Sequence, residues 1–218
     1  MRLYDTVIFD LDGTLLNTLE DLMNSVNTAL LSNGFPPRSL DEIRRFVGNG
    51  IARLIHLSVP HGTPDEREVK CLVDFKAHYT LNMMCKTAPY PGSLDMLRSL
   101  KQDGYRLAVV SNKFDQSVKS LCEYYFGDLL SEAIGESEGF QKKPAPDLVE
   151  HCLSLLGVSS ARAVYVGDSD VDIQTAYNAG LPCISVSWGF RDRSFLESSG
   201  AECIADTPEE LLSFLKQQ

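Results

Sequence analysis

The sequence holds no uninterrupted apolar run near the roughly 20 residues that a membrane-spanning helix requires. Its first 20 residues have no apolar core either, because Arg2, Asp5, Asp10 and Asp12 are spread through them. No secretion signal and no membrane partner are therefore expected, and the expected compartment is cytoplasmic. Positive charge is scarce: 20 Lys and Arg stand against 30 Asp and Glu, a formal net charge of −10. That balance argues against nucleic acid or an anionic membrane surface as partner, since both select positive surfaces. Close cysteine pairs are missing. Cys71, Cys85, Cys122, Cys152, Cys183 and Cys203 are scattered without C-x-x-C spacing and read as reduced core or half-buried residues. His56, His61, His78 and His151 show no ligand spacing and read as surface or packing residues. No repeat and no low-complexity segment occurs. What remains, 44% hydrophobic and 23% charged over 218 residues, is a globular composition with a sizeable core. The length suits one large domain or a domain with a smaller insertion.

The stretch around which the rest is organised is Tyr4 to Thr14, YDTVIFDLDGT. Val7, Ile8 and Phe9 have the composition of a buried parallel strand. The strand breaks into Asp10-Leu11-Asp12-Gly13-Thr14. Two carboxylates one residue apart at the exit of a buried strand cost free energy unless a cation holds them. Gly13 lets the backbone turn tightly and approach a ligand closely. Taken alone, the stretch reads either as a polar strand end with a turn or as a metal-dependent phosphoryl-transfer site.

After Thr14 the period changes. Leu15, Leu19, Leu22, Val26 and Leu30 predict an amphipathic helix ending near Asn33-Gly34. A second helix opens at Ser39 or Asp41, a glycine-flanked turn follows at Val47-Gly48-Asn49-Gly50, and helical spacing resumes at Ile51 and again from Pro64 to about Cys85. No strand pattern is visible from Leu15 to Lys86, so residues 15–86 are expected to form an inserted all-helical domain. From Tyr90 onward helices alternate with strands at Arg106–Val110, near Ala133-Ile134, at Ala163–Val166 and at Cys183–Val186, and Thr207–Leu215 is a closing helix. This alternation predicts an α/β fold, a doubly wound parallel sheet built from residues 1–14 and 87–218.

In open α/β sheets ligands bind at the carboxyl ends of the strands. The strand exits here are Asp10-x-Asp12, then Ser111-Asn112, then Gly167-Asp168, and the basic turn Lys142-Lys143-Pro144 before a helix should join the same rim. Together they describe a cation site beside an anion site. In this ordered set, Asp10-Leu11-Asp12-Gly13-Thr14, Ser111-Asn112, Lys143-Pro144 and Gly167-Asp168 with Asp172, the chain resembles the haloacid dehalogenase superfamily, specifically its phosphatases with a helical cap after the first motif. The turn at Gly48-Asn49-Gly50 and the loop Trp188-Gly189-Phe190 narrow the resemblance towards phosphoglycolate phosphatase-like members. Asn17-Thr18 departs from it, because many relatives carry an acidic residue before Ser or Thr there.

The resemblance implies a Rossmann-like core and a Mg2+-dependent phosphatase acting on a small phosphorylated metabolite. By it, Asp10 is the nucleophile that forms an aspartyl-phosphate, and Asp12 protonates the leaving oxygen and then deprotonates the attacking water. Asp10 and Asp168 would hold Mg2+ through carboxylate oxygens, Asp12 through its main-chain carbonyl, and Asp172 would hold metal-bound waters. Ser111 and the amides of Gly13, Thr14 and Asn112 would take phosphate oxygens, and Lys143 would neutralise charge in the transition state. Asp170 and Lys142 read as solvated. The helical block would serve as a lid, with Asn49 and Gly50 either a plain turn or a second anion site beside Arg44, Arg45 and Arg53. Trp188 reads as packing. Phosphoglycolate is the first substrate expected; pyrophosphate, nucleoside monophosphates and sugar phosphates stay open, as does a mutase. Monomer and homodimer fit equally.

Other readings fit less well. Asp168-x-Asp170-x-Asp172 opens like a calcium loop but has Ile173 and Ala179 where that loop needs glycine and glutamate. Gly48-x-Gly50 lacks the preceding strand and third glycine of a dinucleotide site. A dehalogenase has no use for Asp12. A non-catalytic phospho-sensing module would not need the helical insertion, or would have lost Asp10, Asp12 or Lys143.

Overall fold

The computed structural model describes residues 3–217. In chain order its elements are β1 (Thr6–Phe9), β2 (Leu16–Asn17), α1 (Leu19–Ser32), α2 (Leu40–Phe46), α3 (Ile51–Ser58), α4 (Asp65–Asn82), β3 (Ala88–Pro89), α5 (Ser93–Gln102), β4 (Arg106–Phe114), α6 (Asp115–Phe126), β5 (Glu132–Glu136), α7 (Asp147–Leu156), β6 (Ala163–Gly167), α8 (Asp170–Asn178), β7 (Cys183–Val186), α9 (Arg193–Ser198), β8 (Ile204–Ala205) and α10 (Pro208–Lys216). They fall into two compact units, Met1–Leu16 with Pro89–Gln218, and Asn17–Ala88. Among the described residues no helix is long and apolar enough to cross a membrane.

In the first unit the sheet order is β5-β4-β1-β6-β7-β8, and each neighbouring pair is parallel. Ile8 stands opposite Ala108 on one side and Tyr165 on the other. Val7, Ile8 and Phe9 are wholly buried, as expected of a central parallel strand covered on both faces. Ile8, Ala108, Val110, Ile134 and Tyr165 pack with Leu148, Val149 and Cys152 of α7 in one continuous core. Each such large apolar side chain contributes about 1.5–3 kcal/mol on burial. Helix ends follow local chemistry: α7 stops at Gly157, whose φ of 64° is left-handed, and Thr207 caps α10 by accepting from the Glu210 amide.

The doubly wound sheet is the one its alternating pattern predicts, with local differences. β4 does not close at Asn112 but runs on to Phe114, and its register with β5 slips, Val110 facing Ile134 while Phe114 faces Glu136. Such an irregularity re-aims the side chains it carries. Elements α9 and β8, of 6 and 2 residues, are too short to give a periodic signal.

In the helical unit, α1 begins at Leu19 rather than Leu15, since Leu16–Asn17 is extended as β2. Ser39 caps α2 in a reciprocal capping box with Glu42. Phe75 and Tyr79 stack one turn apart on α4, their centroids 5.4 Å apart. Asp21 of α1 is buried, and its carboxylate accepts from the amides of Lys86 and Thr87 and from the Thr87 hydroxyl at 2.8–3.1 Å. The start and end of this unit are thereby tied to each other.

Candidate active site

The strand order β4-β1-β6 lays three carboxyl ends side by side. β1 is where the chain switches from building one half of the sheet to building the other, the position at which α/β sheets open a crevice. Asp10 follows β1, its amide donating to the Val166 carbonyl of β6 at 2.8 Å. Asp168 follows β6, and Ser111 to Lys113 occupy the irregular end of β4.

Lys143 is the hub. Its ammonium donates to Asp10 Oδ1 at 2.7 Å, to Asp172 Oδ1 at 2.8 Å and to the Tyr165 hydroxyl at 2.9 Å. Asn112 fixes the lysine backbone: its side-chain amide donates to the Lys143 carbonyl at 2.9 Å and its oxygen accepts from the Lys143 amide at 2.8 Å. Asp172 is held in turn. The Ser169 hydroxyl and amide both donate to Asp172 Oδ2, at 2.6 and 3.1 Å, and the Tyr165 hydroxyl donates to Oδ1 at 3.2 Å. Both Asp172 oxygens are thus engaged by the protein, Oδ1 by Lys143 and Tyr165 and Oδ2 by Ser169.

Asp168 sits in a cradle made of glycines. It accepts from the Phe190 amide at 2.7 Å and from the Thr14 hydroxyl at 3.3 Å. A Cβ on Gly13 would fall 2.3 Å from Asp168 Oδ2, and one on Gly189 would fall 2.4 Å from Asp168 Cβ and 2.3 Å from the Gly13 carbonyl. Gly13 also adopts φ of 93°, which favours glycine for conformation as well as space. The Trp188 indole, expected only to pack, donates to the Thr14 carbonyl at 3.0 Å and braces the same loop.

Sequence reasoning missed Lys113 and Tyr165. Lys113 is buried, and its ammonium donates to both carboxylate oxygens of Asp12, at 2.9 and 3.1 Å. The available signal was strand alternation, which points the side chain two residues beyond Ser111 to the same side.

The remaining expected residues divide. Ser111 is buried, and its hydroxyl oxygen accepts from the Lys113 amide at 3.4 Å. The amides expected to bind phosphate at Gly13 and Thr14 donate to the carbonyls of Leu16 and Leu11, at 2.9 and 3.3 Å. Asn49 and Gly50 belong to the helical unit, in the turn before α3, where Gly50 is the N-cap with φ of 80°. Asp170 and Lys142 are exposed.

Electrostatics give the site its character. Burial pushes the Asp10 carboxyl up to about 7, Lys143 pulling it down and Asp172 and Asp12 pushing it up. Burial also drives Asp168 well above the carboxylate range, with Asp172 and Asp10 adding to it and the Phe190 amide opposing. Burial works against the Lys143 ammonium, yet Asp10 and Asp172 outweigh it and hold the lysine well above its ordinary value. Four carboxylates, Asp10, Asp12, Asp168 and Asp172, face two ammonium groups, Lys113 and Lys143. Oxygens of Asp10, Asp168 and Asp172 lie within 4.8 Å of one another, an all-oxygen set suited to a hard cation such as Mg2+. The residues present fit such an ion. Elsewhere, burial pushes the thiols of Cys122 and Cys152 up to about 12, so neither is poised as a nucleophile.

Comparison with known proteins agrees with this geometry. Residues 7–186 match the model of the haloacid dehalogenase-like hydrolase family, and the chain belongs to that family. A phosphoglycolate phosphatase of Mesorhizobium japonicum is 34% identical over 195 residues, covering 88% of this chain and 86% of that protein. One from Aliivibrio fischeri is 32% identical over 216 residues, covering 96% and 95%. A crystal structure from Lactobacillus delbrueckii subsp. bulgaricus superposes with a TM-score of 0.93 at 35% identity, over 99% of both chains.

Proposed function

We propose that this protein is a Mg2+-dependent phosphatase of small phosphorylated metabolites, phosphoglycolate first among them, working through an aspartyl-phosphate on Asp10. The carrying observation is the contact of Lys143 with Asp10 and Asp172 at the carboxyl edge of the sheet, with Asp168 beside them. The relatives designated phosphoglycolate phosphatase support the choice of substrate.

Asp10 Oδ attacks phosphorus as the bond from phosphorus to the leaving oxygen breaks, and Asp12 gives that oxygen a proton. Water then attacks the phosphorus of the aspartyl-phosphate; Asp12 takes a proton from it, the bond to Asp10 breaks, and phosphate leaves. Lys143 holds Asp10 in line and offsets negative charge on the reacting group, while Ser111 offers its hydroxyl to a phosphoryl oxygen. Asp10 and Asp168, with the Asp12 carbonyl, would hold Mg2+, which when bound neutralises the carboxylates and polarises phosphoryl oxygens. Uncatalysed phosphomonoester hydrolysis is slow enough that accelerations reach ~10²¹. A single donor supplies only about 10²–10³, so a site of several converging parts is what the reaction demands.

The test is a panel of phosphomonoesters and pyrophosphate ranked by kcat/KM, each with Mg2+ and with excess chelator. Phosphoglycolate at the head, silent in chelator, supports the reading. Full activity in chelator, or no turnover of any phosphate ester, overturns it.

A further inference from the structure

We infer that Lys113 is a positioning residue that holds the Asp12 carboxylate in one orientation for both of its proton transfers; this rests on the phosphatase reading above. Lys113 reaches Asp12 across 101 residues of sequence, and its ammonium bonds both carboxylate oxygens at 2.9 and 3.1 Å. A clamp on both oxygens fixes χ1 and χ2 of the aspartate together, where a bond to one oxygen would leave the ring of χ2 positions open. The lysine side chain is only 3% exposed and that of Asp12 13%. Burying an ammonium against a carboxylate is a poor way to stabilise a fold, because apolar residues of the same size do as well or better. The pair is better explained by what it does to Asp12.

The backbone is built to make this reach. β4 continues past Ser111 and Asn112 to Phe114, and its register with β5 slips over these residues. Three successive side chains thereby take separate tasks. Ser111 lies in the irregular end of β4, Asn112 turns to grip the Lys143 backbone, and Lys113 returns to Asp12. One irregular strand end therefore orients both the lysine beside the nucleophile and the acid–base group. Asp12 follows Asp10 by two residues on a loop that turns at Gly13.

The role predicts a distinctive pattern of kinetics. Lys113→Met should lower kcat for an alkyl phosphomonoester about 10²-fold, with KM changed less than about 2-fold, because the clamp acts on proton transfer and not on phosphate binding. With p-nitrophenyl phosphate, whose leaving oxygen needs no proton, one enzyme equivalent of nitrophenolate should still be released in a burst. Steady turnover should then be slow, since water activation also uses Asp12. Lys113→Arg, which keeps a bidentate donor, should recover part of kcat. A Lys113→Met enzyme that turns over the alkyl ester like wild type, or that loses KM and kcat on both esters alike, overturns the inference. Asp12→Asn run in parallel separates the two readings. Wild-type turnover there sinks the assignment of Asp12 itself, whereas an inactive Asp12→Asn beside an unaffected Lys113→Met sinks only the clamp. Should Lys113→Met fail to fold, Lys113→Gln carries the same test, with a thermal melt establishing that each variant is folded.

Discussion

Nζ of Lys143 lies 2.8 Å from Oδ1 of Asp172, and each side chain is 2% exposed. Neither charge has access to bulk water, so each depends on the other. Removing one partner of such a pair typically costs about 3–5 kcal/mol. Asp172→Ala should lose stability of that order in urea denaturation, and Asp172→Asn should also be destabilised, since its NH2 must face either Lys143 and Tyr165 or the Ser169 donors. Lys143→Met should behave differently, because it leaves Asp10, Asp168 and Asp172 together without their ammonium. Its melting temperature should fall sharply in chelator, and Mg2+ should restore more of it than in wild type. Equal responses to Mg2+ in the two proteins would show that the carboxylates do not share one cation. Activity of Lys143→Met should be lower by about 10²–10³-fold.

The parts of this site that end a strand were legible in the sequence. A central parallel strand is a continuous apolar run, so Asp10 after Phe9 and Asp168 after Gly167 stand out by contrast. Of the parts that do not end a strand, Lys143 was legible from its basic turn, whereas groups that matter only through what they touch were not. Asn112 looks like a strand-end ligand, yet its side chain grips the backbone of a residue 31 positions away. Tyr165 reads as one more residue of a buried strand, and only the folded sheet brings its hydroxyl to Lys143 and Asp172. Lys113 was hidden because the apolar run ends at Val110, whereas the strand itself runs on to Phe114. In the helical insertion Leu15 keeps the helical period of Leu19, but the chain is extended at Leu16–Asn17 and the helix starts after it. Period alone does not separate a helix from a short strand leading into it.

Asp21 offers a test confined to the helical unit. Its buried carboxylate takes two amides and a hydroxyl from Lys86 and Thr87. Asp21→Ala should leave these donors without their acceptor, at a cost of about 1–3 kcal/mol for each group that stays buried. Hydrogen exchange should rise at Lys86 and Thr87 first. Unchanged protection there would mean that the carboxylate does not fasten the return of the chain.

The pH dependence follows from the direction of two shifts. Asp10, pushed up to about 7 mainly by burial, and Asp168, raised by burial, bind protons more tightly folded than unfolded. The contribution of Asp10 to stability in chelator is thus fully present below the ordinary carboxylate value of 3.8 and is lost as pH rises through about 7, and that of Asp168 has the same sign. Mg2+ competes with those protons, so its affinity should increase from pH 6 to pH 8, with proton release on binding. Calorimetric titration in buffers of different ionisation enthalpy measures both. Binding that is independent of pH across this window would exclude Asp10 as a ligand.

Gly189 isolates geometry from charge. It does not require a left-handed backbone, so its smallness is explained by space alone. A methyl group there would meet the Gly13 carbonyl at 2.3 Å and the Asp168 carboxylate itself, Oδ2 at 2.5 Å. Gly189→Ala should therefore push that carboxylate off its position and weaken Mg2+ binding by about 10–100-fold, the usual effect of disturbing groups behind a metal ligand. No charge changes, so raising the Mg2+ concentration should recover much of kcat, whereas Asp168→Asn should not be rescued. Failure of Mg2+ to rescue Gly189→Ala, in a variant shown to be folded, would mean that the loop at Trp188–Phe190 contributes to the site in some way other than by holding Asp168.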